Sequence, residues 1–253
     1  MSFLAKVAQE KELEVARLRE GPLPDPHRAP PVRSLLAALS TPGLAAIAEV
    51  KRASPSQGAL RADADAAAIA RSYEAAGARA ISVLTDGPHF GGSLADLAQV
   101  RGAVSVPVLR KDFLIDPIQV LEARTAGADA VLLIVAMLSD AQLQSLLAAT
   151  RQVGMEALIE VHTQGELMRA VAADARILGV NSRDLSDLSI DLGRTETLLG
   201  QVPPGLVRVA ESGIKTPADR DRVAAAGADA MLVGSALMSA PDPGAALEAL
   251  LCG

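Results

Sequence analysis

The chain has 253 residues, half of them hydrophobic, and a formal net charge of −6. This is enough to fill one large core, and roughly 250 residues is an ordinary length for a single α/β barrel. Its lysines and arginines are scattered singly, which argues against a nucleic-acid partner because such binding requires a basic patch, whereas a small anionic ligand stays compatible with a locally positive pocket.

Neither cysteine chemistry nor membrane insertion is expected. The only cysteine is Cys252, so no intramolecular disulfide and no cysteine-based metal site can form. The amino-terminal stretch MSFLAKVAQEKELEVARLRE mixes charges into its apolar residues, which is not the pattern of a signal peptide or a membrane span. We therefore expect a soluble, cytoplasmic protein without a membrane partner.

The first predicted elements are helical. Periodicity predicts a helix over about 3–19, a proline-rich turn over 21–31 and a short helix over 33–39. Because the first strand follows only after them, residues 1–45 are expected to be an N-terminal helical extension of one domain that covers 1–253. The extension is either a packing cap on the barrel or a segment that helps to close the mouth of its site.

An internal echo marks the helix-to-strand junctions that follow. The segments AAGARAISVLT, TAGADAVLLIV and AAGADAMLVGS place Gly77, Gly127 and Gly227 between an alanine-rich helical stretch and an apolar run. Glycine is favoured just past the end of a helix because it adopts a left-handed backbone there at little cost. The spacings of 50 and 100 residues equal two and four strand-plus-helix units of about 25 residues.

Eight strands are predicted from this spacing. They lie near 47–51, 80–85, 106–111, 130–135, 156–161, 177–182, 207–212 and 230–235. Alternation with helices calls for parallel pairing and right-handed crossovers, and near-continuous apolar runs fit strands that are buried on both faces. An open doubly wound sheet would carry a GxGxxG turn after its first strand, and the sequence has none there. The predicted fold class is therefore α/β, a single (β/α)8 TIM barrel.

Polar residues gather at the carboxyl ends of six predicted strands. In a barrel of parallel strands these ends converge on one face, which is where such barrels place their active sites. The residues are Glu49, Lys51, Lys111, Asp112, Glu160, Asn181, Arg183, Glu211, Ser212, Gly234 and Ser235. The pattern predicts an active site at that face.

Small residues after the last two strands predict a phosphate site. Ser212 and Gly213 end strand seven before a helix that begins near Thr216, and Gly234 and Ser235 end strand eight before another helical turn. Small side chains let backbone N–H groups approach an oxyanion, and a helix amino terminus adds a favourable dipole. The alternative is that both are only tight strand-to-helix turns.

Lys51 and Lys111 end strands one and three, where packing rarely needs a lysine. Alternation along the strand makes Lys111 face opposite to Arg110 and Asp112, and we expect Lys111 to face the barrel axis. Partial removal from water is expected to lower the pKa of such a lysine toward neutrality, which would make it a general acid near pH 7.

The carboxylates Glu49, Glu160 and Glu211 end strands one, five and seven. Because a buried unpaired carboxylate is costly, we expect either ion pairs with the lysines or raised pKa values suited to proton transfer. A structural salt-bridge network would explain Glu49 and Glu211 even if Glu160 is catalytic. Asn181 adds an amide, and Arg183 adds a guanidinium suited to a substrate carboxylate.

Metal and nucleophile chemistry are disfavoured, and no cofactor is expected. Of the three histidines, only His162 lies beside a carboxylate, that of Glu160, and a third ligand is not evident in the sequence. Ser54 has no obvious histidine and aspartate partners. It is expected to lie in a loop over the pocket, where it would contact substrate.

Eight segments occur in a characteristic order from residue 47 onward: IAEVKRASPSQG, SVLTDGPHFGGS, VLRKDFLIDP, ADAVLLIVAML, ALIEVH, LGVNSRDL, VAESGI and DAMLVGSALM. This series resembles the indole-3-glycerol phosphate synthase family. The resemblance implies a carboxy-lyase of tryptophan biosynthesis. Such an enzyme cyclises 1-(2-carboxyphenylamino)-1-deoxyribulose 5-phosphate to indole-3-glycerol phosphate with loss of carbon dioxide and water.

The resemblance also implies roles for individual residues. Lys111 is similar to the general acid of the family and Glu160 to its second acid/base residue. Lys51 resembles a residue that pairs with substrate anions, while Glu49, Asn181 and Glu211 resemble the polar shell around the intermediates. The remaining implied contacts are Gly213, Gly234 and Ser235 with the phosphate, Phe90, Phe113, Leu132 and Leu185 with the aromatic ring, and Arg183 with the substrate carboxylate.

Two alternatives stay open. Phosphoribosylanthranilate isomerase would share the phosphate site. That family is expected to use a cysteine and an aspartate as its acid/base pair, and Cys252 lies too near the carboxyl end to be that cysteine. A non-catalytic phosphate-binding barrel would not need both Lys111 and Glu160. The expected partner is a small phosphorylated substrate, bound by a monomer that associates at most weakly with other tryptophan-pathway enzymes.

Overall fold

Eight parallel strands close into a barrel in the computed structural model, which describes residues 3–55, 58–184 and 189–252. Each strand pairs with its neighbours in chain order, and the last pairs with the first. The strands are β1 (Ala45–Val50), β2 (Ala80–Leu84), β3 (Val108–Lys111), β4 (Ala130–Ile134), β5 (Glu156–Val161), β6 (Ile177–Asn181), β7 (Val207–Glu211) and β8 (Ala230–Val233). The predicted (β/α)8 barrel is confirmed.

Helices precede the barrel and fill the connections between its strands. They are α1 (Phe3–Glu20), α2 (Leu35–Leu39), α3 (Ala66–Ala75), α4 (Gly87–Phe90), α5 (Leu94–Ala103), α6 (Pro117–Thr125), α7 (Asp140–Gln152), α8 (Gln164–Ala172), α9 (Leu192–Leu199), α10 (Pro217–Ala225), α11 (Ser235–Met238) and α12 (Pro243–Cys252). Two short antiparallel strands, Ala53–Ser54 and Gly58–Ala59, lie between β1 and α3. None of these helices, over the residues described, is long and apolar enough to cross a membrane.

The repeated glycines end helices as predicted. Gly77, Gly127 and Gly227 have φ angles of 96°, 97° and 92°, which is the left-handed region that a residue with a Cβ atom avoids. Each lies between a helix and the strand that follows it. The echo in the sequence is therefore a repeated junction that turns the chain from the outer helices back to the barrel.

Alternation along the strands sorts the core into two parts. Side chains at Ile47, Leu109, Leu132, Leu158 and Leu232 form one cluster inside the barrel. Their strand neighbours point outward and pack against the helices, as Ala48, Val108, Val131, Ile159 and Val233 do. Since side chains alternate with a period of two, the inward register continues to the polar residues at the carboxyl ends. The apolar interior thus forms the floor beneath them.

The N-terminal extension reaches both ends of the barrel. Helix α2 closes the amino end, where the Leu36 N–H donates to the Glu156 carboxylate at the start of β5 (2.7 Å). Helix α1 lies at the carboxyl end, where Lys11 pairs with Asp112 just after β3 (2.8 Å). The two alternatives for the extension therefore describe different helices, because α2 is a packing cap and α1 borders the mouth.

Candidate active site

A cavity of about 330 Å³ opens at the carboxyl ends of the strands. Among the residues predicted for the site, those in its wall are Glu49, Lys51, Phe90, Lys111, Phe113, Leu132, Glu160, Asn181, Arg183, Glu211, Ser212, Gly213, Gly234 and Ser235. Ser54 lies outside this wall, buried in the short strand Ala53–Ser54. Leu185 lies outside the described residues. Strand alternation gives Glu49, Lys51, Lys111, Glu160, Asn181, Glu211 and Gly234 the same inward register.

Lys111 stands at the centre of a buried ion-pair cluster. Its Nζ lies 3.3 Å from Glu160 Oε2 and 3.3 Å from Glu211 Oε2. Arg110 points the other way, toward α6, where its Nη1 lies 2.8 Å from Glu122 Oε2, and it also pairs with Asp112 (3.1 Å). The predicted inward orientation of Lys111 is confirmed.

The expected lowering of the Lys111 pKa is wrong. Burial by itself lowers the pKa of this amine, but the negative charges of Glu211, Glu160 and Glu49 outweigh burial and raise the pKa above its ordinary value. Burial alone does not decide the pKa of Lys111, because the closed barrel places several carboxylates around this one lysine. Lys111 is consequently a charged ammonium at neutral pH.

Glu160 is an ionised carboxylate with partners on both sides. Burial raises the pKa of Glu160, but the positive charges of Lys111 and His162 and a hydrogen bond from Asn181 together bring it below its ordinary value. His162 Nε2 lies 3.4 Å from Glu160 Oε1. Within the part of the chain that the structure describes, no group of three histidine, cysteine, aspartate or glutamate side chains is arranged to hold a metal ion.

Glu211 has the opposite character. Burial raises the pKa of Glu211 to about 8 although Lys111 opposes this, and the charges of Glu160 and Glu49 add to the rise. Apart from the ion pair with Lys111, neither carboxyl oxygen of Glu211 is hydrogen-bonded to any described residue. Glu49 instead pairs with Lys51 (2.9 Å). The cluster therefore combines the two expected outcomes, ion pairs and a raised pKa.

Two inward glycines make room for these carboxylates. Gly179 lies on β6 beside Glu160 in the strand register, and a Cβ atom there would overlap the Glu211 carboxylate. Gly234 follows β8, and a Cβ atom there would overlap the Glu49 carboxylate. Side-chain space is thus a second reason for glycine at 234, beside the approach of an oxyanion to the backbone.

Ser212 and Gly213 form a consecutive left-handed turn after β7. Their φ angles are 65° and 76°, and a non-glycine residue such as Ser212 adopts this region uncommonly. A Cβ atom at Gly213 would come within 2.8 Å of Ile190 Cγ2, so the turn also fits closely under the β6–α9 connection. Ser212 and Gly213 both line the cavity, and a turn of small residues allows an anion to approach the backbone.

The amino terminus of α10 contributes less to the predicted phosphate site than expected. Thr216 Oγ1 accepts the Asp219 N–H (3.2 Å), and the Asp219 carboxylate accepts the N–H groups of Lys215 and Thr216 (3.1 and 3.0 Å). These reciprocal bonds form a capping box, and the negative charge of Asp219 already complements the helix dipole. Asp219 thus already satisfies the start of α10, whereas α11, which follows Gly234, begins at Ser235 without a side-chain cap.

Two lysines were missed by the strand-end search. Lys215 lines the cavity two residues beyond Gly213, and the signal was its place in the run Ser-Gly-Ile-Lys. Lys11 on α1 is only 3% exposed. Its signal was helical spacing, because Val7, Lys11 and Val15 recur every four residues and form the buried face of α1.

Aromatic rings continue the wall toward α1. The Phe113 ring lies 6.2 Å from the Phe90 ring and 6.1 Å from the Phe3 ring between centroids. Phe90 ends α4, a short helix capped by Asp86. The carboxylate of Asp86 lies 3.3 Å from Lys11 Nζ. Helix α1 thereby fixes the apolar side of the cavity as well as the loop that follows β3.

Comparison with solved structures supports the fold. 3-Hexulose-6-phosphate synthase from Salmonella typhimurium superposes with a TM-score of 0.66 at 16% identity, covering 83% of this chain and 99% of that one. Thiamine phosphate pyrophosphorylase from Pyrococcus furiosus superposes with a TM-score of 0.61 at 19% identity, covering 86% and 96%. At such low identity the likeness concerns the barrel alone.

Comparison of sequences identifies the family. The family model described as indole-3-glycerol phosphate synthase matches residues 4–250. The indole-3-glycerol phosphate synthase of Mycobacteroides abscessus is 53% identical over 223 residues, 88% of this chain and 82% of that protein. Its counterpart in a Parafrankia species is 51% identical over 235 residues, 93% and 86% of the two chains. The chain belongs to the indole-3-glycerol phosphate synthase family.

Proposed function

We propose that Lys111 and Glu160 carry the proton transfers by which this chain, as an indole-3-glycerol phosphate synthase, performs its reaction. The reaction converts 1-(2-carboxyphenylamino)-1-deoxyribulose 5-phosphate to indole-3-glycerol phosphate, carbon dioxide and water in tryptophan biosynthesis. The observation that carries the proposal is the placement of the Lys111 ammonium, in the cavity wall, 3.3 Å from each of two carboxylates of contrasting pKa.

Lys111 acts as the general acid in ring closure. The ring carbon that bears the carboxylate attacks the ketone carbon, and the ketone oxygen takes a proton from the Lys111 ammonium. The carbon–carboxylate bond then breaks as carbon dioxide leaves, and its electron pair restores the aromatic ring. Because the raised pKa of Lys111 keeps it charged at neutral pH, the donor also stabilises the negative charge that develops on oxygen.

Glu160 acts in the dehydration. The new hydroxyl leaves as water with a second proton that solvent supplies, and the adjacent CH2 carbon gives up one proton to form the indole double bond. An ionised Glu160 accepts that proton, and its distance of 3.3 Å from Lys111 allows the proton to pass to the amine. The complete series of reaction steps takes up one proton from solvent for each carboxylate lost as carbon dioxide.

The remaining wall supplies groups for binding. Ser212, Gly213, Gly234 and Ser235 border one side of the cavity and offer backbone N–H groups to the phosphate, with Lys51 and Lys215 adding positive charge. Arg183 is the donor for the substrate carboxylate. Phe90, Phe113 and Leu132 are apolar residues of the same wall, which supports their proposed role of holding the aromatic ring.

Substitution of Lys111 tests the proposal. Lys111→Ala removes the donor, and Lys111→Arg keeps a positive charge between Glu160 and Glu211 but does not release a proton. We expect both to lower kcat about 1,000-fold or more, since general acid catalysis contributes about 10²–10⁴. Product formation is followed by indole fluorescence, which is favourable because the chain contains no tryptophan.

The control is Lys6→Ala, which removes an exposed lysine on α1 whose side chain is 63% accessible and should retain wild-type turnover. Folding is checked by circular dichroism, and binding of indole-3-glycerol phosphate by fluorescence titration should be retained in Lys111→Arg. Wild-type turnover by either Lys111 variant would show that Lys111 is not the general acid.

A further inference from the structure

His162 lies beside Glu160 but outside the cavity wall. It follows Glu160 by two positions at the end of β5, so both side chains leave the strand on the same side. It is 9% exposed. His162 does not border the cavity, so it acts on the reaction through the cavity residues that it faces, and Glu160 is the one it contacts.

The imidazole ring of His162 is held between two carboxylates. Nε2 lies 3.4 Å from Glu160 Oε1, and Nδ1 lies 3.4 Å from Glu166 Oε2. Both distances exceed the roughly 2.7–2.9 Å of a strong charge-assisted hydrogen bond, and neither nitrogen has a hydrogen-bond partner among the described residues. The ring thus acts on each carboxylate through electrostatic interaction and steric contact, and not through a strong hydrogen bond.

Glu166 is fixed independently of the ring. Its carboxylate accepts the backbone N–H of His162 (2.7 Å), and its own N–H donates to Thr163 Oγ1 (3.2 Å), which caps α8. This arrangement joins the end of β5 to the first turn of α8. The outer partner of the ring is therefore a rigid part of the helix terminus.

Three acidic groups face the ring, and one cation lies beyond them. Glu160 comes from β5, Glu166 from α8 and Glu211 from β7, while Lys111 contacts the far oxygen of Glu160. Burial lowers the pKa of His162, but the proximity and charge of Glu166 and the charges of Glu160 and Glu211 raise it above the ordinary value. A protonated ring directs its positive charge toward Glu160 Oε1.

We propose that His162, oriented by Glu166, is a positioning residue that keeps Glu160 ionised and correctly aimed during turnover. The inference rests on the proposed role of Glu160 as a proton acceptor. Lys111 loses its charge when it protonates the substrate, and at that moment Glu160 loses the cation on Oε2. His162 remains beside Oε1, and in its protonated form it keeps Glu160 able to accept the proton released in dehydration.

The test is the pH dependence of kcat for His162→Gln, which removes the charge but keeps a polar side chain of similar reach. We expect kcat on the acidic limb of the profile to fall about 10-fold, with kcat near the wild-type value at higher pH. The acidic limb of the profile should shift upward by about one pH unit, while KM changes little because His162 does not border the cavity. His27→Gln is the matched control, since His27 is exposed, and should reproduce the wild-type profile.

Two outcomes would overturn the proposal. One is a wild-type profile for His162→Gln. The other is a loss of kcat that is the same at every pH, because that would indicate a merely structural role. Glu160→Gln separates these from failure of the proposed function: if Glu160→Gln turns over at the wild-type rate, Glu160 is not the acceptor, whereas an inactive Glu160→Gln beside a normal His162→Gln refutes the role of His162 alone.

NMR titration of the histidine rings is a second measurement that needs no folded His162 variant. The chain has only three histidines, and His27→Gln assigns one signal. We expect the pKa of the His162 ring to lie above 6.5 in the wild-type protein and to be lower in Glu166→Gln. A His162 pKa below 6.5 in the wild-type protein would contradict the proposed positive charge.

Discussion

At the scale of single residues, space inside the barrel decides which charges can coexist there. Gly179 has no side chain, and the Glu211 carboxylate occupies the volume that a side chain would fill. Leu158 Cδ1 lies within 3.3 Å of the same position, so a methyl group has no free direction. A close-packed interior transmits such an overlap to its neighbours instead of absorbing it.

Gly179→Ala should therefore disturb the site and not only the strand. We expect it to displace Glu211 and with it Lys111, lowering kcat about 100-fold because small misplacements carry costs of this order, and to destabilise the fold by about 1–3 kcal/mol through overpacking. Steady-state kinetics and urea unfolding measure the two effects.

Gly102→Ala is the matched control. A Cβ atom at Gly102, which is exposed on α5, meets no atom within 4 Å. Alanine there should leave activity unchanged and stabilise the protein by up to about 1 kcal/mol because it favours the helix. Wild-type kcat and stability in Gly179→Ala would contradict this prediction, because they would show that the Glu211 side chain can adopt another position without cost.

The location of the site residues was predictable from the sequence, but their pKa values were not. Strand ends and two-residue alternation were enough to place Lys111, Glu160 and Glu211 on one face. The direction of the Lys111 pKa was not predictable, because it depends on how many carboxylates reach one amine across the barrel. The need for glycine at 179 was equally hidden, since it arises from Glu211, a residue 32 positions later in the chain.

At the scale of elements, helix α1 is tied to the active face by a buried lysine. Lys11 Nζ contacts Asp112 (2.8 Å), Asp86 (3.3 Å) and Glu14 (2.8 Å). Asp112 adjoins Lys111 in the chain, and Asp86 caps the helix that ends in Phe90. One side chain of the extension thus holds the two loops that carry these cavity residues.

Lys11→Met should loosen this attachment. The variant keeps the length of the side chain but leaves Asp86 and Asp112 without one partner in a buried setting, which we expect to cost about 3 kcal/mol or more of unfolding free energy. The measurement is guanidinium-induced unfolding at pH 7. Lys6→Met on the same helix should cost less than about 0.5 kcal/mol, as its ion pair is exposed, and equal losses in the two variants would contradict the account.

The stability of Lys11→Met should also differ from that of the wild type in its dependence on pH below 4. Burial raises the pKa of Asp112, but Arg110 and Lys11 outweigh burial and hold the pKa at about 2, below its ordinary 3.8. A lowered carboxyl pKa contributes stability that is complete above the ordinary value and is lost as pH falls toward 2. Because Lys11→Met weakens the lowering, it should lose less stability than the wild type between pH 4 and pH 2.

The elements themselves followed from their patterns, but their placement did not. Apolar periodicity predicted α1 and α2 to within two residues, since local spacing sets which face is buried. The sequence could not say that α1 lies at the carboxyl end and α2 at the amino end. That depends on pairing of Lys11 with Asp112 and of Leu36 with Glu156, contacts that cross about half of the chain.

At the scale of the whole molecule, the barrel separates stability from chemistry along its axis. The amino end is held by α2 and by Asp129, which is fully buried and accepts the N–H groups of Arg33 and Val108 (2.8 and 2.9 Å) while pairing with Arg101 (2.9 Å). The carboxyl end keeps unsatisfied carboxyl oxygens and a cavity. This division is expected of (β/α)8 barrels, whose active sites lie at the carboxyl face.

The most direct test of the central claim is the stoichiometry of the wild-type reaction. The purified chain is mixed with 1-(2-carboxyphenylamino)-1-deoxyribulose 5-phosphate, and indole fluorescence and released carbon dioxide are measured together. The account predicts one carbon dioxide for each indole-3-glycerol phosphate formed. Folded protein that yields no indole product, or indole without an equal amount of carbon dioxide, would contradict it.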